Sequence, residues 1–435
     1  LENVTLKSLA ALAVPAAISV LLNNAFKVID QYSVQWLGVE SQAAVGSCTF
    51  ILIGLFSVFA VVSVGTGPLV ARATGAQDDA LRRRIIGNAL SGGILLGGGV
   101  LLLTGLAAPL ICEGLGLSDG TKLQAVTYLQ SLAVVGFPLA LAPVVDAIFI
   151  AVGRAGFVML LQLLATLLNI VLNPLFIYVL DLGISRAAIA TGISRGLSVL
   201  IGLIVLGRLF MPQRKDFYWG SSLRRIIRIG LPISWSIAMF ALVYWALLKT
   251  SISPLGPAVN AALGIGFSAL EGFTWPIFWG ISIGVASLVG RYIGANRIGQ
   301  ANQTIRLAFP IVTVGGLLAA AVFWFGAEFL CEIFTSDPLV LAEAILYAKI
   351  LAFSQLFVAY ECLAEGVLEG AGDTRPILFW SVPWNILRIP LAWLFAFPLG
   401  FGAAGIWWVI NITTVIKAAG KWSAVLWGQW KTIEV

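Results

Sequence analysis

Long apolar runs separated by short polar or Gly/Pro breaks fill the chain from one end to the other. They fall at 12–35, 45–70, 85–110, 122–150, 157–180, 187–210, 226–251, 260–289, 305–330, 340–369, 376–399 and 403–427. A helix needs about 20 predominantly apolar residues to cross a bilayer, and each run supplies them. Strand-like alternation is absent, so the pattern predicts helices rather than a barrel. The longest polar interruption, Met211 to Arg228 with Arg214, Lys215, Arg224 and Arg225, lies midway. The expectation is an all-α membrane protein with twelve transmembrane helices in two pseudo-symmetric six-helix lobes, 1–213 and 214–435.

The two halves repeat each other. Ala71-Arg72-Ala73-Thr74-Gly75-Ala76-Gln77 returns as Gly290-Arg291-Tyr292-Ile293-Gly294-Ala295-Asn296, an offset of 219. Cys112-Glu113 returns as Cys331-Glu332 at the same offset, and the glycines near Gly97 return near Gly316. Pro15 returns as Pro232, and Pro174-Leu175 as Pro390-Leu391, with small drifts that short insertions explain. Five matches in chain order mark a duplicated unit. An even number of spans per unit sets both halves the same way round, with a pseudo-two-fold axis along the membrane normal.

Charge fixes the expected orientation. Arg72, Arg82, Arg83, Arg84, Arg154, the basic linker, Arg291, Arg297, Arg306 and Arg375 all fall on one side of the predicted spans. Glu40, Glu113, Asp119, Asp181, Glu332 and Asp337 fall on the other. The positive-inside rule puts both termini and the linker in the cytoplasm. The net charge of +6 is thus a topology signal and gives no reason to expect a nucleic-acid partner.

Composition agrees: of 435 residues, 60% are hydrophobic and 11% charged, with a mean hydropathy of +0.99. Leu1 to Lys7 do not read as a signal peptide, because a polar start runs into a helix that is too long. Histidine is absent, which removes His-based zinc sites, Ser-His-Asp triads and imidazole relays. Cys48, Cys112, Cys331 and Cys362 lack CxxC spacing and read as small apolar fillers. No phosphate-binding GxxxxGK[ST] loop occurs, so ATP is not expected to drive the protein.

Ionisable residues inside the apolar runs stand out, because a charge at mid-membrane costs about 2.5–3.5 kcal/mol on insertion scales. Asn23, Lys27 and Asp30 share one helical face. Asp30 heads the candidates for a cation or proton site; the same pattern also suits a self-neutralising Lys27–Asp30 pair. Asp146, Asn169, Asn173 and Thr191 add oxygen donors in the first half, the asparagines equally suited to helix–helix hydrogen bonds. In the second half Glu361, Glu365 and Glu369 follow at i, i+4, i+8, with Glu271 in the eighth run. Three like charges within about 12 Å do not all stay ionised in a dry site. Glu369, at the run's end, also reads as simply solvated. Lys249 and Arg388 are the expected counter-charges, and Glu365 matches Asp146 at the 219 offset.

Fourteen of fifteen tryptophans lie from Trp219 onward. Trp407, Trp408, Trp427 and Trp430 suit interfacial anchoring. Trp235, Trp245, Trp275, Trp279 and Trp384 suit either anchoring or an aromatic pocket for flat or cationic organic molecules.

With these features the chain resembles the multidrug and toxic compound extrusion family of the larger flippase-containing superfamily. The resemblance covers nearly the whole chain. It rests on Val28-Ile29-Asp30 followed by Leu37-Gly38, on the Arg-x-x-Gly-Ala loops at Arg72 and Arg291, and on Gly370-Ala371-Gly372-Asp373-Thr374. The segment Asn169…Asn173-Pro174-Leu175-Phe176 is similar to the fifth span of the DinF-like branch. The resemblance implies two lobes around a central cavity and export of organic compounds in exchange for H⁺ or Na⁺. It also implies a cation site at Asp30, Asn169 and Asn173. Two departures mark this chain: Asn173 stands where relatives carry aspartate, and the seventh run offers Lys249 where some carry an acid. Asp30 and the Glu271/Glu361/Glu365 group thus become separate candidates in separate halves.

The expected protein is a secondary antiporter of the plasma membrane, most simply a bacterial inner membrane. It is expected to be a monomer embedded in lipid that takes small, amphipathic or cationic organic substrates and needs no cofactor beyond the coupling ion. H⁺ is favoured over Na⁺, because clustered carboxylates share a proton without a complete oxygen cage. The rival is a lipid or lipid-linked oligosaccharide flippase, which a strongly basic interior would favour; the charges named above are more acidic than basic. An enzyme is not expected, since no nucleophile–base or metal constellation can be assembled.

Overall fold

The computed structural model describes residues 2–34, 39–114, 119–178, 185–217 and 220–433. Within these, the side chains at 27, 28, 30–34, 39–43, 45–47, 49, 50, 177, 178, 186, 187, 268 and 269 lie outside the description. Sixteen α-helices follow in order among the described residues. They are α1 (Leu6–Val34), α2 (Val39–Gly75), α3 (Asp79–Gly92), α4 (Gly98–Gly114), α5 (Asp119–Val135), α6 (Phe137–Ala151), α7 (Ala155–Tyr178) and α8 (Ser185–Phe210). Then come α9 (Ser221–Leu247), α10 (Pro257–Ile265), α11 (Glu271–Gly294), α12 (Ile298–Phe325), α13 (Ala327–Glu332), α14 (Pro338–Ala371), α15 (Arg375–Ala396) and α16 (Gly402–Trp427).

Eleven stretches among the described residues are long and apolar enough to span a membrane; counting the bent pair α5–α6 as one span gives twelve. That pair is the predicted run 122–150, and it bends by 54° where the sequence reads as a single helix. The cause is local. The backbone N–H of Gly136 closes on the Leu132 carbonyl, and Pro138 in the next turn brings no N–H of its own. The predicted run 260–289 is likewise interrupted: α10 passes through a π turn, Gly266–Leu270, into α11.

Packing divides the chain into two compact units. One holds the chain up to Ala17, Trp235–Ile293 and the chain from Arg297 onward; the other holds Ile18–Ser234 and Gly294–Asn296. The division runs through α1 and through α9. In the first unit α14 is the hub, packed on α10, α12 and α16, with Tyr347, Leu351, Phe323, Ile406 and Trp407 buried around it. In the second, α2 packs on α3, α5 and α6, and α8 packs on α5, α6 and α7. Ile86, Val144, Ile148, Phe149 and Ile226 fill that core. All four cysteines are free and buried, as small apolar fillers should be.

The duplication is visible in backbone detail. Gln77 and Asn296, 219 apart, both take φ 57° after their helices end. The N–H of Asp78 bonds to the Ala73 carbonyl, and the N–H of Arg297 bonds to that of Tyr292, again 219 apart. A second closure repeats as well. Gly153 (φ 91°) and Gly372 (φ 78°) end α6 and α14 in the left-handed region, where glycine carries no Cβ penalty. Arg154 and Asp373 then bond back to Phe149 and Leu368. Helix crossings repeat too. A Cβ at Gly65 would lie 2.0 Å from the Ile226 carbonyl oxygen, and one at its counterpart Gly284 would lie 3.0 Å from the Ala13 backbone. Small residues let these helices touch backbone to backbone, which matters where lipid supplies no hydrophobic drive for helix association.

Two tryptophans depart from the anchoring role. Trp407 is fully buried, edge-on to Tyr347 at 4.8 Å, and Trp430 is buried with its Nε1 donating to the Val425 carbonyl at 2.8 Å. Their neighbours Trp408 and Trp427 are exposed. Hydropathy alone does not distinguish the two faces of one helix end.

Candidate functional site

Each unit carries its own polar constellation inside span-length helices. In the unit that contains α14, the i, i+4 spacing puts Glu361 and Glu365 on one face. The same spacing on α16 presents Lys417 and Lys421 toward them. Lys421, with a fully buried side chain, donates to Glu361 Oε1 at 2.5 Å and also to Glu365 Oε1. Lys417 reaches the same Glu361 oxygen at 3.1 Å. Two carboxylates and two ammonium groups thus meet in one place, and their formal charges cancel. Leaving any one of them uncompensated would be expensive at lipid depth.

These lysines escaped the sequence reading, which assigned Lys249 and Arg388 as counter-charges. Lys249 is exposed, its ammonium 5.0 Å from the Trp245 ring centre. Arg388 is buried and donates to Thr413 Oγ1 at 2.6 Å and Thr414 Oγ1 at 3.0 Å. Its charge also reaches Glu271, whose hydrogen-bonding neighbour is Tyr347. The signal for Lys417 and Lys421 was present: two cations one turn apart in a run of lipid length. Glu369 is partly buried near Glu365 rather than freely solvated.

In the other unit Asp146 on α6 accepts from Gln162 Nε2 at 2.6 Å. Gln162 on α7 in turn accepts from Arg195 on α8. The Arg195 guanidinium also donates to Asn23 Oδ1 at 2.5 Å and lies 4.3 Å from the centre of the Phe26 ring. Arg195 and Gln162 also went unread, although an arginine inside an apolar run meets the criterion applied to the acids. Asn169 and Asn173, both fully buried, bond to each other along α7 at 3.0 Å. Thr191 is buried on α8. Asp30 and Lys27 belong to α1, but their side chains lie outside the described residues.

The two constellations correspond. Asp146 and Glu365 each precede by seven residues the left-handed glycine that ends their helix, Gly153 or Gly372. Each finds its cation on the last span-length helix of its half: Arg195 through a glutamine bridge, Lys421 directly. Of the five tryptophans read as pocket candidates, Trp275 and Trp279 stack at 5.3 Å and 12°. Trp235, Trp245 and Trp275 are exposed, and Trp384 is half-buried. Among the described residues, no group of three or more His, Cys, Asp or Glu is placed to hold a metal ion.

A twice-repeated helical bundle with compensated charges at lipid depth defines a polytopic membrane protein of the transporter class. The MatE family profile matches residues 15–175 and again 232–394, one match per half, and the chain belongs to that family, which consists of transporters rather than enzymes. It is 26% identical to a probable multidrug resistance protein NorM of Thermotoga maritima, over 98% of this chain and 93% of that one. Against a similarly named protein of Pseudomonas aeruginosa the identity is 28%, over 99% and 90%. Against the multidrug export protein MepA of Staphylococcus saprophyticus it is 24%, over 95% and 91%. Among solved structures, a MATE protein in complex with MaL6 superposes with a TM-score of 0.91 at 23% identity, covering 98% of this chain and 97% of that one. An outward-facing multidrug resistance MATE transporter gives 0.87 at 23%, covering 97% and 95%.

Proposed function

We propose that the protein is a secondary antiporter that exports amphipathic or cationic organic compounds in exchange for H⁺ or Na⁺, opening alternately to the two sides of the membrane. The observation that carries this reading is the pair of matched carboxylate–cation constellations, Asp146 with Arg195 and Glu361/Glu365 with Lys417/Lys421. Such charges at lipid depth have a use where protonation or ion binding biases one arrangement of the helices over another. The coupling set proposed is Asp30, Asn169, Asn173, Thr191, Glu271, Glu361 and Glu365. The substrate-facing aromatics proposed are Trp235, Trp245, Trp275, Trp279 and Trp384.

Relatives named for multidrug resistance support the substrate class. H⁺ is the favoured coupling ion, because ammonium groups already sit on the Glu361 and Glu365 oxygens that a metal cation would need. The two lobes are taken as 1–213 and 214–435, with both termini cytoplasmic in a bacterial inner membrane and the protein monomeric. Placement in the DinF-like branch rests on Asn169…Asn173-Pro174-Leu175-Phe176 alone; the relatives above carry other names.

The test is efflux of ethidium from proteoliposomes under an imposed pH or Na⁺ gradient. Asp30→Asn, Glu361→Gln and Glu365→Gln should each slow it about tenfold or more, the scale at which loss of a coupling group registers. If all three retain gradient-driven transport, the carboxylate mechanism is wrong.

A second reading gains from one observation. Arg195, Arg388, Lys417 and Lys421 are all buried, so the acidic bias that argued against a flippase does not hold once the interior charges are seen. Competition for ethidium binding by an anionic lipid, but not by organic cations, would favour lipid transport.

A further inference from the structure

The environment of Lys421 carries the inference furthest. Its ammonium is fully buried and held by one oxygen each of Glu361 and Glu365. A monovalent cation bridging that carboxylate pair would stand where this nitrogen stands. Lys417 holds the Glu361 oxygen from a second direction, and both lysines belong to α16.

The charged groups facing the cluster are Glu361, Glu365 and Glu369 on α14, Lys417 and Lys421 on α16, and Arg388 on α15. Within the four-residue core, two negative charges meet two positive ones. Adding Na⁺ would create an uncompensated positive charge at lipid depth and would require Nζ to move off both oxygens. Two buried carboxylates with Lys421 removed would instead carry a net negative charge, a deficit that draws a cation from solution.

We infer that Lys421 is a tethered cation that fills the coupling-ion position of this constellation and makes it indifferent to Na⁺. It is a specificity-determining residue: it decides which ion the Glu361–Glu365 pair accepts. This deepens the coupling reading above and rests on it only for transport; ion binding can be measured without any flux.

The experiment is thermal unfolding of the purified full-length protein in detergent, titrated with NaCl against choline chloride at equal ionic strength. The titration is run at about pH 8, well above the ordinary carboxylate range, so that protons compete as little as possible with Na⁺ for the two carboxylates. The wild type should show no difference between the two salts. Lys421→Met should gain a Na⁺-specific rise in Tm of about 3 °C or more at about 150 mM salt. The rise should vanish in Lys421→Met/Glu365→Gln, where the charge deficit is removed, and should be absent in Lys421→Arg, which keeps the tethered charge. If Lys421→Met does not fold, Lys421→Gln removes the same charge and reads the same claim, whereas Lys417→Met, which leaves Lys421 on both carboxylates, should show no Na⁺-specific rise. The inference is overturned by Na⁺-specific stabilisation of the wild type that Glu365→Gln abolishes. It is equally overturned if the folded Lys421→Met or Lys421→Gln variant responds alike to Na⁺ and choline. Transport that persists in all three carboxylate variants sinks the coupling reading but keeps the inference if this salt pattern holds; transport that fails in them while the salt pattern is absent sinks the inference and leaves the coupling reading standing.

Discussion

Arg195 shows how much one residue can hold at lipid depth. Its guanidinium joins Asn23 on α1 and Gln162 on α7, and through Gln162 reaches Asp146 on α6. Removing one side of such a buried charge network typically destabilises by about 3–5 kcal/mol, because the other side is left uncompensated. Arg195→Met should therefore lower the unfolding midpoint strongly, and adding Asp146→Asn should restore much of the loss. Equal losses in the single and double variants would show that the carboxylate does not depend on the arginine. Asp146 was legible as an intramembrane acid, and so was its counterpart Glu365 at the 219 offset. Their partners were not, because pairing depends on which helix faces which, and periodicity reports only that a face exists.

Among the elements, the crossing at Gly65 is tightly constrained, and its counterpart at Gly284 repeats it with more room. No side chain fits between Gly65 and the Ile226 carbonyl without moving a helix, whereas Gly67, two residues on, has nothing within 4 Å of its would-be Cβ. Overpacking a tight contact costs about 1–3 kcal/mol, and more where the obstacle is backbone. Gly65→Leu should depress thermal stability while Gly67→Leu leaves it nearly unchanged; similar behaviour of the two would mean that the helices do not meet there. The apolar runs announced these helices well, since a run of lipid length has few other fates. The bend at Gly136 and the π turn before Glu271 were hidden, because both are local rearrangements inside runs whose hydropathy never falters. Trp407 misled for a related reason: a tryptophan near a helix end looks the same in sequence whether it meets lipid headgroups or, as here, Tyr347.

For the whole molecule, the duplication links sequence to structure most firmly. An offset first seen in Arg-x-x-Gly-Ala reappears as matched dihedral angles at Gln77 and Asn296, and as matched left-handed helix ends at Gly153 and Gly372. Both halves are then read by one family profile. Orientation is a separate prediction, drawn from the arginine-rich loops. A cysteine placed at position 83 in a cysteine-free background should react with an impermeant maleimide only after the cell membrane is opened; labelling in intact cells would invert the topology. Coupling between buried charge and substrate remains the central claim, and linkage requires it to be reciprocal: if protonation alters substrate affinity, substrate binding must alter protonation. The direct measurement is the proton count on adding ethidium to the purified protein in weakly buffered detergent solution, followed with a pH-indicating dye. Proton release on binding, diminished in Asp30→Asn and in Glu271→Gln, is the expected result. Saturable ethidium binding with no release of protons, in the wild type and at every pH between about 6 and 8, would contradict it.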